Sequence, residues 1–151
     1  MSERARLVGM NHVALEVGDL EEALALYSRL FEFELRGRVP GMAFIDMGDQ
    51  FLAIAETDGE HTDEVRHFGL VVDDAQAARG AVEREGLDMV QDRRGGPEFL
   101  DPWGNRFQIV DYREVQFERT AGVKRKLGIE DVEKSDAARR ELAEKGLAEE
   151  G

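Results

Sequence analysis

The sequence predicts an α+β fold in which one β-α-β-β-β unit is used twice. The runs from His12 to Asp19 and from His67 to Asp74 both open with histidine, alternate apolar with polar or small residues, and end at an acidic turn before a helical pattern. The spacing is 55 residues both from His12 to His67 and from Asp19 to Asp74. Each half holds a single helical pattern, and hairpin turns separate most of the strands. We therefore expect sheets with helices on one face rather than a doubly wound parallel sheet.

The first unit is predicted over about residues 7–56. Its helix follows the N-cap residue Asp19, and its apolar side chains recur at steps of three and four. Because successive side chains of a strand point to opposite faces, His12 and Glu16 share the face away from this helix. The predicted elements are a strand at 7–17, a helix at 20–31 and strands at 35–39, 42–47 and 51–56.

The second unit is predicted over about residues 65–112 and begins at His67, after a polar linker at 57–64. His61 in that linker is expected to be solvated, because lone histidines in polar loops usually are. The two matched histidines, His12 and His67, should face the same concave space. The predicted elements are a strand from His67, a helix at 75–85 ended by Gly86, and strands at 89–93, 98–100 and 106–112.

Composition narrows the functional classes. The 151 residues suffice for one domain or two half-size modules, and the net charge of −13 argues against nucleic acid and mildly against anionic substrates. The absence of cysteine excludes disulfides and thiolate metal sites. The polar N-terminus resembles no signal peptide, and no apolar run approaches the ~18 residues of a membrane span. We expect a cytoplasmic protein without a membrane partner.

The last 39 residues, 113–151, break the repeat and predict a helical extension. One irregular helix is expected at 114–127, and a second is expected from the N-cap Ser135 through residue 145, ending at Gly146. This extension is too polar to fold alone. It must dock on its own domain, on a partner subunit or over the mouth of the cavity.

The two histidine strands, together with the run DPWGNRFQ at residues 101–108, resemble the vicinal oxygen chelate (VOC) superfamily. This superfamily includes glyoxalase I, extradiol dioxygenases and bleomycin-binding proteins. The resemblance covers residues 7–112 and implies two βαβββ modules that pair, within a chain or across a homodimer, into a half-open barrel around one cavity. It sets residues 1–112 as the VOC domain and 113–151 as the C-terminal extension.

The resemblance also implies a set of metal ligands at matched inward positions. His12 and His67 correspond to the two first-strand ligands, and Gln108 corresponds to a last-strand ligand that is usually Glu. The same offset of 55 residues places the fourth position at Ala53, which cannot bind a metal. The implied cofactor is one divalent ion of zinc, iron, nickel or manganese. Because this donor set carries no negative charge, a metal-free protein remains open.

Four further residues are of interest near the predicted cavity. Glu16 faces the concave space either as a general base or as a solvated residue at the barrel mouth. Phe99 and Trp103 are candidates to contact a ligand in the cavity, although a tryptophan near a turn also serves as a packing residue. Glu56 is expected to point away from the cavity as a surface residue.

Three functions follow from these observations. The first is a metal-dependent lyase- or dioxygenase-type enzyme acting on a small oxygenated substrate, with Glu16 as the base. The second is a metal-free protein of the bleomycin-resistance type that binds a drug-like or aromatic molecule. The third is a structural or regulatory module whose helical extension recruits a partner. We favour the first, without naming its reaction.

Overall fold

The computed structural model describes residue 10 and residues 12–48, 50–64, 66–90, 97–115 and 117–148, and it confirms the α+β fold class. The first module forms a four-stranded sheet in the order β1-β4-β3-β2, in which β1 is parallel to β4 and the other pairs are antiparallel. Its elements are β1 (His12–Val17), α1 (Leu20–Leu30), β2 (Leu35–Val39), β3 (Met42–Asp46) and β4 (Phe51–Glu56).

The second module repeats this arrangement in the order β5-β8-β7-β6, with β5 parallel to β8. Within the described ranges, no strand pairing joins the two sheets, so they form two open sheets rather than a closed barrel. The elements of the second module are β5 (Phe68–Val72), α2 (Ala75–Arg84), β6 (Met89–Val90), β7 (Glu98–Leu100) and β8 (Arg106–Asp111).

Some element bounds differ from those predicted. Residues 7–9 and 11 of the predicted first strand, and 91–93 of the strand predicted at 89–93, lie outside the described residues. The helix predicted at 114–127 is wrong in extent, because a 3-10 turn at Tyr112–Glu114 ends at Val115, residues 117–120 are not helical, and α3 covers only Ala121–Leu127. The second helix of the extension, α4 (Asp136–Glu144), begins after Ser135 as predicted.

The predicted alternation of faces is confirmed in β1. Leu15 and Val17 are fully buried beneath the helices, whereas His12, Ala14 and Glu16 are exposed on the opposite side of the sheet. We call the side of each sheet that faces away from its helix the open face.

Acidic side chains fix the start of both long helices. Asp19 and Asp74 each accept a hydrogen bond from a first-turn backbone N–H of α1 and α2, at 2.9 and 3.0 Å. Glu56 and Asp111, at the ends of β4 and β8, accept from the first N–H of the same helices at 2.8 and 3.2 Å. Negative charge at a helix N-terminus opposes the helix dipole favourably. Glu56 therefore points away from the open face, as expected, but it caps a helix.

A buried polar network joins the two modules. Tyr27 on α1 donates its hydroxyl to Asp101 Oδ2 at 2.6 Å, and Asn105 Nδ2 donates to the same oxygen at 2.9 Å and to the Glu16 carbonyl at 2.8 Å. The other carboxylate oxygen of Asp101 accepts the backbone N–H groups of Trp103 and Asn105. Burial, and then the neighbouring Asp101 charge, raise the pKa of Tyr27 well above its ordinary value. The turn that carried the family resemblance thus holds the modules together.

The helical extension docks on the first module of its own chain. Arg119 donates to the Met47 carbonyl at 2.7 Å, and Lys126 forms a salt bridge with Asp46 at 2.7 Å. Gly48, in the β3–β4 turn with φ +93°, lies so close to α3 that an added Cβ would come within 2.8 Å of Val123. Of the three dockings expected from the sequence, the structure shows the first.

A buried lysine fastens the segment between α3 and α4. Lys134 Nζ donates to the carbonyls of Tyr112 and Val115 at 2.6 and 3.1 Å, and it lies 3.6 Å from the centre of the Tyr112 ring. Burial lowers the pKa of Lys134. Among the helices described, none combines the length and apolar character that crossing a membrane requires.

Candidate functional site

The open face of the second sheet holds Gln108, one of the three predicted metal ligands, and a second, His67, lies at the entry to this sheet. Gly69 in β5 pairs with Gln108 in β8, and the Gln108 Oε1 lies 3.9 Å from the position that a Cβ on Gly69 would take. His67 immediately precedes β5 and lies two residues before Gly69, and continuing the alternation of β5 back by one residue assigns it to the same face. His67 and Gln108 are both half-buried. Because Gly69 has no side chain, β5 presents no β-carbon next to the Gln108 amide.

A carboxylate that the sequence analysis did not single out lies beside Gln108. Glu98 in β7 pairs directly with Gln108 and is only 3% exposed. It accepts a hydrogen bond from Arg106 Nε at 3.0 Å, and Arg106 also donates to the Glu64 carbonyl at 2.9 Å. Arg106 therefore compensates the negative charge next to the predicted ligand. Alternation in residues 98–100 and 106–108 was the signal that could have revealed Glu98.

The open face of the first sheet carries His12 in an aromatic setting. His12 is exposed and stacks on Phe51, with ring centres 4.7 Å apart and planes inclined by 10°, and Phe44 meets the edge of Phe51. Ala14 pairs with Ala53 in the register that pairs Gly69 with Gln108. Ala53 is thus the counterpart of Gln108, and its side chain offers no atom that could bind a metal ion.

His12 belongs to a different sheet from His67 and Gln108. Across the described part of the chain, the structure holds no group of three His, Asp or Glu side chains that could bind a metal ion. The predicted ligands are distributed over two sheets: His12 is the first residue of β1, Gln108 lies in β8, and His67 immediately precedes β5.

Glu16 lies on the open face of the first sheet, as expected. It is exposed and follows His12 by four residues, which corresponds to about 13 Å along a strand. Its backbone carbonyl is bound by Asn105, so the joint between the modules fixes its position. At that distance the carboxylate cannot share an ion with His12.

The two aromatic residues predicted to contact a ligand pack elsewhere. Phe99 is 0% exposed and stacks on Phe107 at 5.1 Å inside the core, so the prediction that it lines the cavity is wrong. Trp103 is half-buried against the backbone of Gly18 and Gly59, where an added Cβ would come within 2.9 Å of the indole. Trp103 is therefore a packing residue at the joint between the modules.

The third histidine is structural rather than solvated. His61 Nε2 lies 3.1 Å from Asn105 Oδ1, so it extends the network around Asp101. Gly104, with φ +79°, allows the linker backbone at His61 to approach closely, because a Cβ there would meet the His61 carbonyl at 1.8 Å.

A cavity of about 290 Å³ opens on the first sheet beside His12. Its walls are Arg36, Gly37, Phe44 and Phe51, and the Arg36 guanidinium lies 4.6 Å from the centre of the Phe51 ring. This cavity, rather than the neighbourhood of Phe99 and Trp103, provides the aromatic surface on an open face. Arg36 is not recognisable from the sequence alone, because a lone arginine in an edge strand carries no distinctive signal.

Comparison with known proteins agrees with this architecture. The family model described as Glyoxalase/Bleomycin resistance protein/Dioxygenase superfamily matches residues 9–109, and no curated protein matches the chain. Among solved structures, the fosfomycin resistance protein FosX from Mesorhizobium loti is similar, with 23% identity, coverage of 70% of this chain and 92% of that one, and a TM-score of 0.59.

Two other solved structures show the same fold. Lactoylglutathione lyase from Agrobacterium tumefaciens has 20% identity, coverage of 72% and 96%, and a TM-score of 0.56. A mutant of FosX from Listeria monocytogenes, in complex with Mn(II) and 1S,2S-dihydroxypropylphosphonic acid, has 18% identity, coverage of 70% and 90%, and a TM-score of 0.60.

Proposed function

This chain belongs to the Glyoxalase/Bleomycin resistance protein/Dioxygenase superfamily, and we propose that it is a divalent-metal-dependent enzyme of lyase or dioxygenase type. Its substrate would be a small oxygenated molecule bound between the open faces of the two sheets. The observation that carries the proposal is that His12 opens β1 and His67 immediately precedes the equivalent strand β5, with Gln108 paired to Gly69 on the second open face. The similar Mn(II)-bound and lyase structures support it.

The donor set fits a divalent ion, but weakly. Two imidazole nitrogens and one amide oxygen suit zinc, iron, nickel or manganese and leave positions open for substrate oxygens. None of the three donors is charged, Ala53 supplies no fourth ligand, and Glu98 is held by Arg106. When bound, such an ion would supply Lewis-acid chemistry to a substrate oxygen. We expect its affinity to be below that of a site with a carboxylate at residue 108.

The side chains of this chain would orient the substrate and handle its proton. His12, His67 and Gln108 would hold the ion, and the Phe51 ring that stacks on His12 would exclude water beside it. Glu16 is the proposed base; because it lies about 13 Å from His12 along the strand, it would act on a part of the substrate remote from the ion.

Completing the site requires the two open faces to meet, and we propose that a homodimer achieves this. Within the chain, the modules are joined by Tyr27, Asp101 and Asn105. In the described part of the chain no strand pairing joins the sheets. The edge strand β2 also exposes Leu35 and Val39, at 39% and 50%, and such an edge favours coverage by a partner.

The test is elemental analysis of protein purified without chelator, alongside three histidine variants. His12→Ala and His67→Ala should each lose the bound metal, whereas His61→Ala, the matched control, should keep it. Metal retained by either open-face variant, or a wild-type protein that takes up no zinc, iron, nickel or manganese, would contradict the proposal.

The second candidate is a metal-free binding protein of the bleomycin-resistance type. Two observations favour it. Ala53, which occupies the position equivalent to Gln108, has no metal-binding side chain, and the neighbouring carboxylate of Glu98 forms a salt bridge with Arg106. Binding of an aromatic ligand that is unchanged by chelator, in protein without metal, would select this function.

A further inference from the structure

We propose that Arg36 anchors the anionic group of the ligand, so that the natural ligand is a small organic oxyanion with a planar or apolar body. This inference rests on the proposed function in one respect: it takes the open face of the first sheet to be part of the substrate site. It adds a recognition residue and a ligand class.

A β-bulge directs Arg36 onto the open face. Leu35 pairs with Ile45 and Gly37 with Phe44, so residue 36 is the extra residue of β2 and has no partner on β3. Without the bulge, Arg36 would share a face with Arg38, whose guanidinium pairs with Glu21 on the helix side. Bulges at sheet edges commonly re-aim one side chain in this way. The bulge here separates two arginines that lie two residues apart.

The re-aimed guanidinium lies over an aromatic wall. It is 4.6 Å from the centre of Phe51, and Phe44 meets Phe51 edge-on at 5.7 Å in the cavity of about 290 Å³. Stacking on a ring holds the guanidinium plane while its N–H groups stay at the rim, where a carboxylate or phosphonate can accept two of them. The two phenylalanines would contact the remainder of the ligand.

The charges around Arg36 leave it available to an anion. The nearby carboxylate, Asp46, forms a salt bridge with Lys126 of the extension at 2.7 Å, and within the described ranges no salt bridge engages Arg36 itself. Hydrogen bonds from Lys126 and from the Gly48 N–H lower the pKa of Asp46, and Arg36 adds a smaller effect. The group of Arg36, Lys126 and Asp46 therefore carries a net positive charge in a chain whose total is −13.

The test is calorimetric titration of full-length protein with phenylphosphonate, benzoate and the uncharged benzamide, all in the presence of chelator. The anions should bind the wild type and benzamide should bind at least tenfold more weakly. Arg36→Gln should weaken anion binding at least tenfold, and Phe44→Leu should weaken all three probes. Arg38→Gln, which removes the same charge from the opposite face of the same strand, should leave the affinities within twofold.

The proposal would be overturned by any of three results. Equal losses of affinity in Arg36→Gln and Arg38→Gln would show a general charge effect. Benzamide binding as tightly as the anions would exclude an anion subsite. Failure of both phenylphosphonate and benzoate to bind would exclude a ligand site at Arg36. Metal content is measured on the same preparations before chelator is added, and it should be unchanged in Arg36→Gln. If the protein binds no metal, the anions should still bind in the presence of chelator, so failure of the metal proposal can be distinguished from failure of the anion-binding proposal.

Discussion

Replacing Tyr27 by phenylalanine tests whether the buried network joins the modules. The change removes only the hydroxyl that donates to Asp101 at 2.6 Å, in a site where Tyr27 is 3% exposed and Asp101 is 5% exposed. A hydrogen bond to a charged group contributes about 1.5–3 kcal/mol to folding. Asp101 would keep its three bonds from Asn105 and Trp103. We therefore expect the free energy of unfolding to fall by about 2 kcal/mol, toward the lower part of that range.

Urea unfolding at one protein concentration measures this loss. Far-UV circular dichroism follows the secondary structure, and the fluorescence of Trp103, the sole tryptophan, follows the joint between the modules. At this chain length a loss of 2 kcal/mol corresponds to a fall in Tm of roughly 4–8 °C. Ser28→Ala is the matched control, because it removes an exposed hydroxyl from the same helix and should change stability by less than about 0.5 kcal/mol.

A double-mutant cycle with Asp101→Asn isolates the pairwise contribution. Residues in direct contact within one network couple by about 0.5–3 kcal/mol. A coupling energy near zero, or a Tyr27→Phe loss no larger than that of Ser28→Ala, would refute the conclusion that this bond joins the modules.

Three further predictions concern pH, the docked extension and the metal. The pKa of Tyr27 in the folded state is raised above 10.0, so its contribution to stability is fully present below pH 10 and is lost as the pH rises further, by up to about 1.4 kcal/mol per pH unit. Between pH 9.5 and 11.5 the free energy of unfolding of Tyr27→Phe should therefore fall less steeply than that of the wild type. Equal slopes for the two proteins would contradict this. Gly48→Ala should lower the free energy of unfolding by about 1–3 kcal/mol, which is more than Gly41→Ala, because both glycines have positive φ but only Gly48 lies against Val123. Equal losses for the two variants in thermal unfolding would contradict the packing of α3 on this turn. Gln108→Glu should tighten zinc binding at least tenfold in competition with a chromogenic chelator, and unchanged affinity would remove residue 108 from the ligand set.

The sequence predicted local and periodic features well. Alternation separated the buried Leu15 and Val17 from the exposed His12, because a half-buried strand has a period of two. The 55-residue offset identified Ala53 as the counterpart of Gln108, since the two modules use the same strand register. Both predictions rest on rules that operate within one strand or one repeat.

The features that sequence missed depend on contacts between distant residues. The orientation of Arg36 is set by a bulge that is defined only by pairing with β3. The charge of Glu98 in β7 is compensated by Arg106 in the neighbouring strand β8, and Phe99 is buried because it stacks on Phe107. Trp103 contacts Gly18, which lies 85 positions earlier in the chain, and no local pattern encodes that approach.

The docking of the extension on the first module also sets an order of events during synthesis. Arg119 binds the Met47 carbonyl, 72 positions earlier in the sequence. At about 5–20 residues per second, translation delivers Arg119 roughly 4–14 s after Met47 has been incorporated. The β3–β4 turn of the nascent chain therefore remains uncovered for seconds, and the first module acquires these contacts only after the whole second module has been synthesised.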